Sequence, residues 1–250
     1  MADSKMIMGL ALCVLLACAS DELRSGTTLL GSGTADLGQS QGDTMHLELI
    51  ERMLASGRVY AVLAHLDALP VKDRDAPRAQ WLRAEALRQM QDHATATQLY
   101  VSLMEGPYAG LAHRGLGLVA SSQGQSDTAL RHFEIARGLL PTDSRVRNDL
   151  GYACLLAGDI ARARTELLTA LELDPHAATV TANFLLFLHS IGDVRAATAW
   201  AERRSIPADQ QEDVRKEAAR IAAAWPSARA GARPQFPARF SDENESRLTE

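Results

Sequence analysis

RNDLGYACLLAGDIARARTELLTALELDP, residues 147–175, and HRGLGLVASSQGQSDTALRHFEIARGLLP, residues 113–141, carry the same residues at the same places when laid over each other with an offset of 34. Leu116 falls on Leu150, Gly117 on Gly151, Gly124 on Gly158, Ala129 on Ala163, Ala136 on Ala170, Leu139 on Leu173 and Pro141 on Pro175. A fixed period with small residues at matched positions marks stacked helix-turn-helix units, each burying one face against its neighbour. Gly117, Gly151, Ala129 and Ala163 allow helices to approach closely where larger side chains would hold them apart. Phe133 and Leu167 fill the space beside them, and Pro141 and Pro175 end the second helix of each unit.

Weaker copies lie on either side. From Pro77 onward, Ala84, Leu87, Ala96, Tyr100 and Leu103 occupy equivalent positions. From Asp43, Leu49, Ile50, Met53, Val62, Leu66 and Leu69 do so, with Gly57 in the turn. From Ala178 the matches are Phe184, Leu188, Gly192 and Ala197. The expected array spans residues 43–208, in units near 43–76, 77–109, 110–143, 144–177 and 178–208. Its outer units are atypical because a terminal repeat lacks one neighbour. A capping helix is expected over 209–225: Asp209 and Glu212 resemble a capping box, and Val214, Ala218, Ile221 and Trp225 recur on one helical face. Residues 226–250 have several prolines, no period and an acidic end, which predicts a disordered tail.

The first residues read as an address. After Lys5 an apolar run extends from Met6 to Ala17, and about 20 residues are needed to cross a hydrocarbon core. The run predicts a signal peptide over residues 1–17. The stretch LLAC, with Ala17 before Cys18, resembles a bacterial lipobox, which makes Cys18 the expected lipidation site and the membrane anchor. An ordinary signal peptide with an Ala-x-Ala-like site and a buried helix of a cytosolic protein are the alternatives. Residues 18–42, rich in Gly, Ser, Thr and Asp, predict a flexible tether, whose roughly 24 residues would span roughly 25 to 30 Å as a random coil. Cys13 would leave with the signal and Cys18 would carry lipid, so Cys154 would remain as a single thiol, read as a small buried hydrophobe.

A net charge of −5, with acidic and basic residues interspersed, argues against nucleic-acid binding, which needs a basic footprint. The stretch Gly115-x-Gly117-x-x-Ala120 matches a dinucleotide fingerprint in form, but it lies inside a helix in register with the repeat, and that motif needs a strand leading into a helix N-terminus. His46 and His65, like His113 and His132, are 19 residues apart and can approach within a unit, yet two imidazoles without a third ligand make an incomplete zinc site. No HExxH, GxSxG, phosphate-binding Gly-Lys loop or CxxC pair is present. The reading is therefore non-catalytic, with no cofactor, metal or small-molecule substrate. A cryptic hydrolase using His113, His132 and Asp149 is a distant alternative.

The pattern resembles the tetratricopeptide repeat (TPR) over residues 43–208. It departs from it at His113 and Arg147, where Trp is common, and at Ala120 and Cys154, where Tyr is common. The resemblance implies an all-α, right-handed solenoid of antiparallel helix pairs whose first helices line a surface that takes another polypeptide. Positions 2, 5, 9 and 12 of those helices give the expected partner-binding groove: Arg78, Trp81, Glu85, Arg88, Arg114, Leu118, Asn148, Tyr152, Leu186 and His189, with Ala182 beside them. The Asn and Lys set by which some such arrays hold a C-terminal carboxylate is not reproduced. The order lipobox, tether, repeats is similar to that of the TPR lipoproteins of the tight-adherence (Flp) pilus apparatus. That resemblance implies an outer-membrane lipoprotein facing the periplasm, Ala19 after Cys18 favouring outer-membrane sorting, with a secretin or other pilus-assembly component as partner. A type IV pilus pilotin or a scaffold for cell-wall enzymes is the alternative within the same class.

Overall fold

The computed structural model describes residues 37–225. The expected signal peptide, Cys18, most of the tether and the tail over 226–250 lie outside the described residues. Among the described residues there are twelve helices and no strand: α1 (Leu37–Ala55), α2 (Val59–Asp67), α3 (Val71–Arg74), α4 (Pro77–Gln89), α5 (His93–Ser102), α6 (Ala109–Ser122), α7 (Ser126–Leu139), α8 (Ser144–Leu156), α9 (Ile160–Leu173), α10 (Ala178–Ser190), α11 (Val194–Arg203) and α12 (Ala208–Ala224). None of them is long and apolar enough to cross a membrane. Helix α1 takes in residues 37–42, which by composition belong to the expected tether. Two compact bodies divide the chain between Gln123 and Gly124.

The turns within the hairpins follow one recipe. The chain leaves the first helix through a residue in the left-handed region: Gly57 (φ 72°), Gly158 (φ 74°) and Gly192 (φ 81°). The next amide then reaches back to a carbonyl of the last helical turn, as in Asp159 N–H to Cys154 O (2.9 Å) and Asp193 N–H to Leu188 O (3.0 Å). After Gly158 and Gly192 an aspartate caps the second helix, Asp159 accepting from the Arg162 amide and Asp193 from the Ala196 amide, whereas Arg58 after Gly57 gives no side-chain cap. In the hairpin of α4 and α5 the same place is held by Gln91 at φ 66°, followed by the capping Asp92. A side chain there is strained. Gln91→Gly is expected to raise stability by about 1 kcal/mol, measured as a higher urea midpoint at unchanged slope.

In the N-terminal body, Ile50 and Leu54 of α1, Val62 and Leu66 of α2, and Ala79, Leu82 and Ala86 of α4 form one apolar cluster. Ala84, Ala96, Tyr100, Leu103, Ala112, Leu116 and Val119 form a second, and Trp81 packs against both. In the C-terminal body, α8 and α9 cross tightly: a Cβ on Gly151 would lie 2.8 Å from Leu167 Cγ and 3.1 Å from the Leu167 backbone nitrogen. The Cys154 thiol is buried in α8, and that burial pushes its pKa up to about 11. Trp200 of α11 stands edge-on to Phe184 of α10 at 4.9 Å and donates to Thr181 O at 3.2 Å.

Candidate protein-interaction surface

The first helices α4 and α6 place five of the expected groove residues in the N-terminal body, together with one that turned out to be interior. Arg78 donates from Nε to Glu51 Oε1 at 2.9 Å, tying α4 to α1. Trp81 is half-buried, its ring 6.0 Å from that of Tyr108, and its Nε1 is buried with no hydrogen-bond partner. Arg88, Arg114 and Leu118 are half-buried. Glu85 lies inside instead: it is 6% exposed, accepts from Tyr100 Oη at 2.6 Å and pairs with Arg88 Nη2 at 2.8 Å. Burial alone would raise its pKa. The Arg88 and Arg114 guanidiniums and the bonds from Arg88 and Tyr100 outweigh that and hold the carboxyl at about 2. Glu85 is thus the buried counter-charge that fixes Arg88.

The seat for this arrangement is Gly115, which the sequence presented only as part of a nucleotide fingerprint. A Cβ there would come within 2.3 Å of Tyr100 Cζ, so the phenol reaches Glu85 only because residue 115 lacks a side chain.

In the C-terminal body the expected groove residues come out differently. Asn148 is buried (3% exposed) and its Oδ1 accepts from Asn183 Nδ2 at 2.9 Å, a bond between α8 and α10. Leu186 is buried at 5% exposure. Both are interior residues rather than groove residues. Asn148→Ala should cost about 1–2 kcal/mol by leaving the Asn183 amide without its buried acceptor, checked by denaturant unfolding. Tyr152 and His189 are half-buried, and Ala182 is too. Arg147, which stands where TPR units usually have Trp, pairs with the buried Glu166 at 2.8 Å and donates to Pro141 O at 2.9 Å. An ion pair fills the place of a ring.

The capping helix does more than close the end. α12 packs against α10, not along α11 as a further repeat would. Its Arg215 acts on His189, its Glu217 and Arg220 act on Tyr152, and Trp225 Nε1 donates to Leu155 O at 2.9 Å in α8. Burial and then Glu217 push the Tyr152 phenol up to about 12, against the opposing Arg220.

His46 and His65 meet at 3.2 Å from Nε2 to Nδ1, edge to face. Among the described residues no group of three or more His, Cys, Asp or Glu side chains could hold a metal.

Helical hairpins that turn through a left-handed residue and repeat at a spacing of about 34 residues define a TPR protein, and the chain belongs to that family. It is 35% identical over 223 residues to the TPR repeat-containing protein PA4299 of Pseudomonas aeruginosa, covering 88% of this chain and 86% of that protein. A crystal structure of a thermophilic TPR protein of Thermus thermophilus superposes with a TM-score of 0.58 at 18% identity, covering 72% of this chain and 99% of that one. No family model matches the chain.

Proposed function

We propose that the chain is a non-catalytic scaffold that binds another protein of the bacterial cell envelope. The observation that carries this reading is the N-terminal body's array of half-buried Trp81, Arg88, Arg114 and Leu118, with Arg88 anchored by a buried carboxylate. Trp and Arg held rigid at a surface are the residue types that dominate binding energy at protein interfaces. Rigid anchors also lose little side-chain entropy when a partner arrives.

The finer reading rests on the order of segments in the sequence. A lipobox ending at Cys18, a Gly- and Ser-rich tether and a repeat array support an outer-membrane lipoprotein facing the periplasm, of the kind represented by TadD in the tight-adherence (Flp) pilus apparatus. Its partner in that reading is the secretin or another pilus-assembly component. Cys18→Ser is expected to move the protein from the membrane to the soluble fraction with its helical content unchanged; continued membrane association contradicts the anchor. Arg114→Ala with Leu118→Asp, both half-buried on α6, should reduce co-purification of the secretin from detergent-solubilised envelopes at least tenfold. Undiminished recovery of the secretin by a folded double variant removes this surface as its binding site.

A further inference from the structure

Two positions, one helical turn apart, recur in every first helix at intervals of 33 or 34 residues. At one of them stand Ala79, Ala112, Val146 and Val180, all buried. At the other stand Leu116, Leu150 and Phe184, also buried, while Arg83 of α4 reaches back to Asp67 of α2 at 2.6 Å. What covers these positions is the second helix of the unit before. Ala79 lies in one apolar cluster with Val62 and Leu66 of α2, and Ala112 and Leu116 lie in one cluster with Ala96 and Tyr100 of α5.

On α1 the same two positions are held by Met45 and Leu49, and they are 68% and 38% exposed. Helix α1 thus shows to solvent the side on which each later first helix carries a neighbour. Val62 stands 17 residues before Ala79, and Ala96 stands 16 before Ala112. The same steps back from Met45 and Leu49 reach Thr28 or Leu29 and Ser32 or Gly33, beside Gly31. That run lacks the apolar pair at each spacing and is poor in helix formers.

Charge selects the occupant. Glu48 and Arg52 are exposed on α1 in the same turns as Met45 and Leu49. A second α1, antiparallel to the first and related to it by a two-fold axis near Leu49, sets Leu49 against Leu49 and lays Met45 along the apolar stem of Arg52. It also brings each Glu48 within reach of the other copy's Arg52. An anionic lipid surface would instead meet a carboxylate beside the two apolar side chains.

We infer that α1 is the seat of a two-fold dimer, in which Met45 and Leu49 pack against a second copy of the chain. One pair of helices buries less than the roughly 1,200 Å² of a standard interface, so the dimer is a weak one. It presents the Trp81, Arg88 and Arg114 surface twice, and an oligomeric partner would be held at two points. The inference goes beyond the scaffold reading and does not rest on it.

Cross-linking of the full chain, with Cys13 and Cys18 replaced by serine, tests it. Under a mild oxidant Leu49→Cys should give a disulfide-linked pair of chains at least tenfold faster than Tyr60→Cys, which is exposed on α2 away from the axis. Adding Met45→Lys should suppress the link while the helical signal stays unchanged. Adding Glu48→Arg or Arg52→Glu to Leu49→Cys should slow it at least tenfold, and mixing those two variants should restore it, because every cross-chain pair then joins opposite charges. Equal linking at Leu49→Cys and Tyr60→Cys overturns the proposal, as does a mixture no faster than either charge variant alone. If no pair forms, alkylation of the Leu49→Cys thiol names the true occupant. Shielding relieved by removing residues 19–36 makes that segment the occupant, shielding that arises only with phospholipid vesicles makes it a lipid surface, and either overturns the proposal.

Discussion

Glu85→Ala is expected to destabilise the N-terminal body by about 3 kcal/mol, the low end for breaking a buried ion pair because Arg88 keeps some contact with water. That corresponds to a fall in Tm of roughly 6–12 °C for a chain of this size. The loss has three parts: Arg88 is left buried without its carboxylate, the Tyr100 hydroxyl loses a 2.6 Å acceptor, and a small cavity opens. Replacing both ions, as Glu85→Leu with Arg88→Leu, should recover the part of the loss that comes from the orphaned charge, while the buried Tyr100 hydroxyl stays without its acceptor. A double variant as unstable as the single one would show that the cost lies in packing rather than in the pair.

The same carboxylate sets a pH dependence whose sign is fixed by its shift. Folding lowers the Glu85 pKa from an ordinary value of 4.5 to about 2. Its contribution is therefore complete above about pH 4.5 and is lost as the pH falls towards 2. Unfolding curves of the wild type and of Glu85→Gln should converge across that window and run parallel above it. Parallel curves throughout would mean that Glu85 titrates alike in the folded and unfolded chain.

The second large effect is expected at Gly115. Replacing a glycine inside a helix by alanine normally gains stability by about 0.5–1 kcal/mol, and Gly138→Ala should behave so, because a Cβ there meets nothing within 4 Å. Gly115→Ala should have the opposite sign, costing about 2–3 kcal/mol, since the new methyl carbon would fall 2.3 to 2.7 Å from three ring carbons of a fully buried Tyr100. Adding Tyr100→Leu to Gly115→Ala should relieve part of the cost, and the double-mutant cycle measures how much of the loss is this one contact. A neutral Gly115→Ala would mean that Tyr100 has room to retreat.

What could be read from the chain, and what could not, follows from where the information sits. Gly57, Gly158 and Gly192 with their following residues, Ala163, Gly151 and the prolines fix helical hairpins because each acts within a turn or a single crossing. Those constraints recur at a spacing of 33 or 34 residues, which is why the all-helical repeat is legible in the sequence. Glu85 and Asn148 looked like surface residues because they are polar and fall at inner positions of the repeat. Their burial depends on Tyr100, Arg88 and Asn183, and Asn183 stands 35 rather than 34 residues from Asn148, so no period points to it. Leu186 was assigned to an open face because the idealised unit has one. The run from Phe184 to Leu188 is the signal in the sequence that this helix is enclosed. In the N-terminal body Trp81, Arg88, Arg114 and Leu118 are half-buried.

Cys154 turns the C-terminal body into its own timekeeper. The thiol is 1% exposed and its raised pKa leaves little thiolate near neutrality. With Cys13 and Cys18 replaced by serine, the speed at which an alkylating reagent consumes the last thiol would count how often α8 parts from α9, with no dye or engineered probe in the molecule.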